Sequence, residues 1–490
     1  MGRKSKRSKA ASNENGDSGG LSKSQRKELM DLTKQLLEKC VKPSEQNEWG
    51  NFLEIHDLVE KVRKLQEGHN FLPEDRETHF PVFLTWLKDN GVDTTAVSIR
   101  KFEHTGYGLE AKKEVQESQL LLTIPRKLML TTESAKLTCL GSLVESDPLL
   151  QSMPTVVLAL HLLIERCDVN SLWRPYIDTL PESFSTPLYF TPDEIQLLKG
   201  SPVMSEVLKQ YKHIARQYAY LHKLFQGLPD GKCPLKHQFT YDDYRWAVSA
   251  IMTRQNQIPT PDGQQMINAL IPFWDMCNHT NGQFTTDYNL EKDCSECFAL
   301  RNFKEGEQIY IFYGSRSNAQ LLLYSGFVFP DNQNDTLDIK LGISKNDPLY
   351  TLKINLLTKL GIIGSGMFSL YRGDQPVDSK LLAFLRIFNM NEEQLKQISE
   401  EECLEKLGDL ESDVSQELEQ KVWSFLETRC SLLLRSYQNF EDNGKISDGD
   451  TLSDNARLCL QLRICEKSIL QRTLEFAKSK KEKYNINGSA

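Results

Sequence analysis

The feature that most constrains this chain is an interruption. Strand-like segments at 96–102, 108–111 and 120–124 give way to helical patterning over 132–250, and strands return at 269–271, 297–300 and 308–312. Segments this short cannot build stable sheets alone. The late set is therefore expected to rejoin the early set, with the helical stretch lying outside the sheets as an insert. From about 345 to 484 the pattern is helical, with runs at 380–388, 417–437 and 456–478. The fold class that follows is α+β: a β-rich domain split by a helical insert, followed by an all-helical C-terminal domain. No internal repeat of solenoid period is present.

The expected boundaries are a disordered basic tail at 1–20 and an N-terminal helical segment at 21–94. The split β-rich domain spans 95–314, with its insert at about 132–250. A closing segment and linker cover 315–344, and the helical domain covers 345–490. Two amphipathic helices are expected in the N-terminal segment. Leu29, Leu32 and Leu36 recur at three- and four-residue spacing, as do Phe52, Ile55, Val59 and Val62 before Gly68. Residues 156–164 read as a buried helix, and 207–225 as a helix carrying Tyr211, Tyr218 and Tyr220.

With 490 residues, 39% of them hydrophobic, the chain can bury sizeable cores. At ~150 residues per domain it holds about three units. Lys+Arg 59 against Asp+Glu 67 gives a net charge of −8, which argues against general nucleic-acid binding. The longest apolar run is 156–164 and contains His161. It falls far short of the ~20 residues of a spanning helix, so no membrane association is expected. The basic start, Met1 to Lys9, lacks the apolar stretch of a secretory signal and reads as a solvated tail. Eleven scattered cysteines then read as reduced thiols in a cytoplasmic or nuclear protein.

Three segments stand out. Gly106-Tyr107-Gly108-Leu109 opens a strand. From Asn268 to Gly282 an apolar strand runs into a polar turn holding Asp275, Asn278 and His279. From Ala299 to Gly314, strand, glycine turn and strand lead to Tyr313 just before a glycine. Singly each is weak, since such residues commonly make turns and packing contacts. In this order and spacing they resemble the SET-domain methyltransferases. The insert and helical C-terminal domain are similar to the subgroup containing Rubisco lysine methyltransferases. The resemblance to that subgroup covers about 70–485, and the runs 215–220, 253–259, 274–282 and 311–318 resemble the actin-histidine N-methyltransferases.

The resemblance implies S-adenosyl-L-methionine as cofactor, with Tyr313 and Asn256 catalytic. It implies cofactor contacts from Arg76, Thr105, Gly106, Tyr107, Arg254, Asp275, Met276, Cys277, Asn278, His279, Ser325, Gly326 and Phe327. It implies substrate contacts from Arg216, Gln255, Asn256, Trp274 and Arg316, with actin as the protein partner of a monomeric enzyme. Histone-directed relatives often carry a zinc-binding cysteine cluster after the catalytic Tyr. Here the next cysteines after Tyr313 are Cys403 and Cys430, without ligand spacing, so no metal is expected. Cys294 and Cys297 read as two reduced thiols in a hairpin.

Acceptor chemistry separates histidine from lysine. A lysine amine, pKa ~10.4, must first lose a proton, whereas an imidazole, pKa ~6.5, is mostly neutral at pH 7. A histidine enzyme must choose one ring nitrogen, and an amide can do so by bonding the other. Asn256 suits that task, with Trp274 and Tyr313 as walls for a flat ring. Two alternatives stand beside this reading: a protein-lysine methyltransferase acting on histones, and a non-catalytic SET-like binding module. Retention of Tyr313, Asn278 and Arg254 together weighs against the module.

Overall fold

The computed structural model describes residues 21–43, 47–71, 75–398, 405–443 and 452–486. The expected basic tail at 1–20, and Cys403, lie outside the described residues. The Lys23–Val41 helix starts at a capping box, in which Ser22 accepts from the Gln25 N–H and Gln25 reaches back. It buries Leu29, Leu36 and Cys40. The Glu48–Leu65 helix buries Phe52, Ile55, Val59 and Val62. Both faces pack on the Val203–Gln226 helix of the insert, which offers Val207, Tyr211, Ile214 and Tyr218. Burying such side chains contributes roughly 1.5–3 kcal/mol each, which anchors an N-terminal segment that has no sheet of its own.

The early strands pair with the late ones. Val97–Phe102 and Gly106–Ala111 form an antiparallel pair, and Gln308–Ile311 adds to Gly106–Ala111. Asn278–His279 then runs parallel to Gln308–Ile311, with Tyr310 opposite Asn278 and Ile311 opposite His279. Leu120–Pro125 pairs with Cys294–Phe298, itself paired with Thr286–Asn289. Leu130–Thr131 pairs with Met266–Leu270, beside Asn256–Pro259. Three small sheets therefore close across the insert. The Pro154–Cys167 helix of the insert is buried over the whole of Val156–Ile164, His161 included. The Tyr241–Arg254 helix leads directly into the Asn256–Pro259 strand.

The C-terminal domain corrects one expectation. It is not all-helical: Thr336–Gly342 and Ser365–Tyr371 form an antiparallel pair. The first strand, expected within the 315–344 linker, alternates buried Leu337, Ile339 and Leu341 with exposed residues. That period of two is the signature of a half-buried strand. The second buries Phe368 and Leu370 against the Ser379–Asn389 helix side of the core. Arg386 in that helix is buried but fully engaged. It pairs with Glu419 at 2.7 Å and donates to the carbonyls of Lys406, Leu407, Asp409 and Ser412, as a buried charge requires. The Asp454–Ile486 helix joins the domains, with Cys459 and Leu462 in the first core and Ile469, Leu470 and Ala477 in the second.

Candidate active site

The turn after Met266–Leu270 carries the centre of the site. Asp275, its side chain 3% exposed, faces Arg254 Nε at 3.8 Å and accepts the Tyr176 hydroxyl at 2.5 Å. Burial raises the Asp275 carboxyl, and Arg254, Tyr176 and Arg76 oppose that rise. Arg76 lies 5.1 Å over the Tyr107 ring and 5.6 Å over the Phe80 ring. Its guanidinium is pushed down to about 10, chiefly by burial and then by the like charge of Arg254. Its buried Nε has no hydrogen-bond partner. Two guanidiniums around one carboxylate leave an excess positive charge, and a buried orphan donor beside it is costly unless an anion arrives.

Arg254 is not wholly free to make that grip. Its Nη1 donates to Thr253 Oγ1 at 2.7 Å, and its guanidinium lies 5.6 Å over Phe184. Both Arg254 and Arg76, each expected as a cofactor contact, thus stand at this carboxylate.

On the other side lies the strand opening. Gly106 has φ +69°, a conformation that favours glycine. A Cβ on Gly108 would stand 2.4 Å from Gln308 Nε2 and 3.0 Å from Asn278 Nδ2. Asn278 Nδ2 donates to the Tyr107 carbonyl at 3.2 Å, and Thr105 Oγ1 donates to Gln308 Oε1 at 3.0 Å. The two polar segments singled out in the sequence are thereby tied together edge to edge.

Tyr313 donates its hydroxyl to the Cys277 carbonyl at 2.7 Å, and its backbone N–H donates to His279 Nδ1 at 3.2 Å. Burial pushes the Tyr313 phenol up, so it stays neutral at physiological pH. Burial, reinforced by Arg316, holds His279 down to about 4. With Nδ1 accepting, its proton sits on Nε2. The His279 ring packs 5.1 Å from Tyr313 and 6.0 Å from Phe327. Phe327 follows Gly326, which ends the Asn318–Ser325 helix at φ +78°. Ser325 Oγ lies 3.4 Å from Arg316 Nη1.

Asn256, Trp274, Asp275, Cys277, Tyr313 and Arg316 line one cavity of about 80 Å³, together with Arg254 and Gln255. Asn256 Nδ2 donates to the Arg254 carbonyl at 3.1 Å. That fixes the carboxamide and leaves Oδ1 as an acceptor without a hydrogen bond among the described residues. Gln255 is more committed: its Oε1 accepts from Asn268 Nδ2 at 2.9 Å and from Thr155 Oγ1 at 3.3 Å. Met252, Gln255 and Arg316 also border a larger cleft of about 730 Å³, walled by Gln210, His213 and Gln217 of the Val203–Gln226 helix. Of the expected substrate contacts, Arg216 lines neither cavity. It lies at the margin of the helix face that bears His213 and Gln217, and its charge acts on Cys40.

Several neighbours gave no signal in the sequence. Tyr176 and Phe184 come from the insert, 99 residues before Asp275 and 70 residues before Arg254 respectively, and only folding brings them near. Phe284 and Thr286 complete the small cavity. Among the described residues no group of three His, Cys, Asp or Glu side chains converges as a metal set. Cys294 and Cys297 are free thiols on the Cys294–Phe298 strand.

A SET domain model matches residues 106–314, and a Rubisco LSMT substrate-binding model matches 344–470. An actin-histidine N-methyltransferase of Gallus gallus is 48% identical over 467 residues, covering 94% of this chain and 79% of the relative. One of Homo sapiens is 46% identical over 467 residues, with the same two coverages. The chain belongs to the actin-histidine N-methyltransferase family. Two solved structures share its fold. A Rubisco LSMT bound to AdoMet superposes with TM-score 0.65 at 22% identity, covering 83% of this chain and 93% of that one. The SET domain of LSMT bound to lysine and AdoHcy gives 0.67 at 21%, with the same coverages.

The residues present suit the sulfonium cofactor of SET enzymes. The Arg76–Asp275–Arg254 cluster has charge to spare for an α-carboxylate, and neutral His279 and Tyr313 add no charge to repel a cation. The open backbone at Gly106 lets a ligand approach closely.

Proposed function

We propose that this protein transfers a methyl group from S-adenosylmethionine to a histidine of actin. The observation that carries the reading is Asn256: an amide with its N–H₂ tied to the backbone and its oxygen free, in a cavity walled by Trp274 and Tyr313. S-adenosylmethionine supplies an electrophilic methyl on a good leaving group. Arg76 and Arg254 would hold its carboxylate, and the strand opening at Thr105–Tyr107, with Asn278, would flank the rest.

The chain's own task is placement. Asn256 Oδ1 can accept only from a protonated ring nitrogen, so it selects the tautomer whose other nitrogen carries the lone pair. That nitrogen would face the methyl group that bound S-adenosylmethionine supplies. The carbon–sulfur electron pair would stay with the departing thioether, and methylation would leave the ring cationic. Its remaining proton stays on the nitrogen held by Asn256 until product leaves. Tyr313, locked by Cys277 and His279, orients the acceptor without exchanging a proton. The adjoining cleft of about 730 Å³ has room for the polypeptide that bears the histidine. The ten cysteines among the described residues are free, which supports a reducing compartment, the cytoplasm or nucleus.

Mass spectrometry of actin after incubation with the protein and labelled cofactor tests the reading. Label on a histidine is the expected result, and label on lysine would transfer the assignment to lysine chemistry.

A further inference from the structure

Asp275 reaches the two arginines from an uncommon stretch of backbone. Phe273, fully buried, has φ 75° and ψ −53°, and the Trp274 N–H bonds back to the Pro272 carbonyl at 3.0 Å. This is a γ-turn of the positive-φ kind at a bulky aromatic residue, a rare and strained conformation. Such strain survives only where the surroundings over-determine it. The turn that follows, Trp274–Met276, carries both the aromatic wall of the small cavity and the carboxylate between the arginines.

One side chain reaches this turn directly at Asp275 and, through Phe83, at Phe273. Tyr176, 1% exposed, donates to Asp275 Oδ2 at 2.5 Å. Its ring packs 6.1 Å from Phe83, which in turn packs 6.0 Å edge-on against Phe273. Tyr176 belongs to the Arg174–Ile177 helix of the insert, so the insert braces the strained turn of the β-rich domain.

We infer that Tyr176 is a positioning residue, whose hydroxyl clamps Asp275 and so holds both the cofactor-carboxylate seat and the Trp274 wall in register. The inference rests on the cofactor reading given above. It makes the carboxylate seat and the small cavity depend on one rigid turn: loosening Asp275 releases Arg254 and Arg76 on one side and shifts Trp274 on the other.

Tyr176→Phe removes one hydroxyl and keeps the ring on Phe83. Calorimetry with S-adenosylmethionine should show a dissociation constant raised at least fivefold, and turnover of a histidine peptide should fall by a similar factor. Asp275→Asn removes the charge, and adding Tyr176→Phe to it should cost much less than Tyr176→Phe costs the wild type. Affinity and turnover within twofold of wild type in Tyr176→Phe, or losses that simply add in the double variant, would overturn the clamp while leaving the proposed function standing. A wild-type protein that takes up no S-adenosylmethionine would overturn both.

Discussion

At the scale of single residues, charge state and hydrogen-bond direction decide what the site can do. Tyr313 is held neutral by burial and donates its hydroxyl hydrogen bond to the Cys277 carbonyl, so it serves as a fixed polar wall. Tyr313→Phe should lower kcat by roughly 10²-fold while changing cofactor affinity much less; single-turnover kinetics beside calorimetry separate the two. Asn256→Ala leaves the ring N–H without its acceptor, a loss of about 1–3 kcal/mol in transition-state stabilisation, read as kcat/KM on a histidine peptide. Arg254→Ala should raise the cofactor dissociation constant at least tenfold, since a charge-assisted contact contributes ~1.5–3 kcal/mol; Arg76 keeps the seat from being lost altogether. The pH profile follows from the same residues. His279 titrates near 4 and Tyr313 well above the usual phenol range. Neither changes charge across neutral pH, so the rate should rise through the acceptor's own value of about 6.5 and then stay flat to pH 9. A rate still climbing at pH 9 would instead report an amine acceptor.

At the scale of elements, the site is assembled at strand ends and helix ends, where the backbone must take unusual shapes. Gly326 closes the Asn318–Ser325 helix at φ +78°, and a Cβ there would stand 2.9 Å from the Ser185 carbonyl carbon. Both the conformation and the close approach exclude a side chain. Gly326→Ala should cost on the order of 1–3 kcal/mol and move Phe327 off His279, so the thermal midpoint and cofactor affinity should fall together. The pairing of Asn278–His279 with Gln308–Ile311 was not expected, since the sequence reads 278–279 as part of a polar turn, and its sense is parallel. A two-residue strand has too short a pattern to specify direction. It is the register, Tyr310 opposite Asn278, that brings Tyr313 to His279.

At the scale of the whole molecule, the two cores are joined through a buried acid. Glu466, on the helix shared between them, accepts Ser201 Oγ at 2.7 Å and Tyr437 OH at 2.9 Å. Burial raises its carboxyl to about 7, against the pull of Ser201, Tyr437 and Arg463. A carboxyl raised in the folded state binds its proton more tightly there than in the unfolded chain. Its contribution to stability is complete below the unfolded value of ~4.3 and is lost as pH rises through about 7. The thermal midpoint of the wild type should therefore drop between pH 5 and pH 8 more than that of Glu466→Gln, which a pair of melting curves for each protein will show.

The sequence by itself determined the fold class and the split of the β-rich domain, because these are written in local terms. Hydrophobic period separates helix from strand, as at Leu29–Leu36 and 156–164. The expected site residues around Asp275, Asn278, His279 and Tyr313 came from the resemblance to the SET-domain methyltransferases, not from their spacing alone. Where the local signal was misread, as at Leu337, Ile339 and Leu341, the alternation was present but set among helices. Only the tertiary structure decided the rest. It placed Tyr176 on Asp275, left Arg76 Nε without a partner, turned the Asn256 oxygen free and left Arg216 out of the lining of both cavities. Each of these depends on how helices of the insert pack against strands far along the chain. A side chain's partners there are set by the packing of distant surfaces, and no local spacing encodes them.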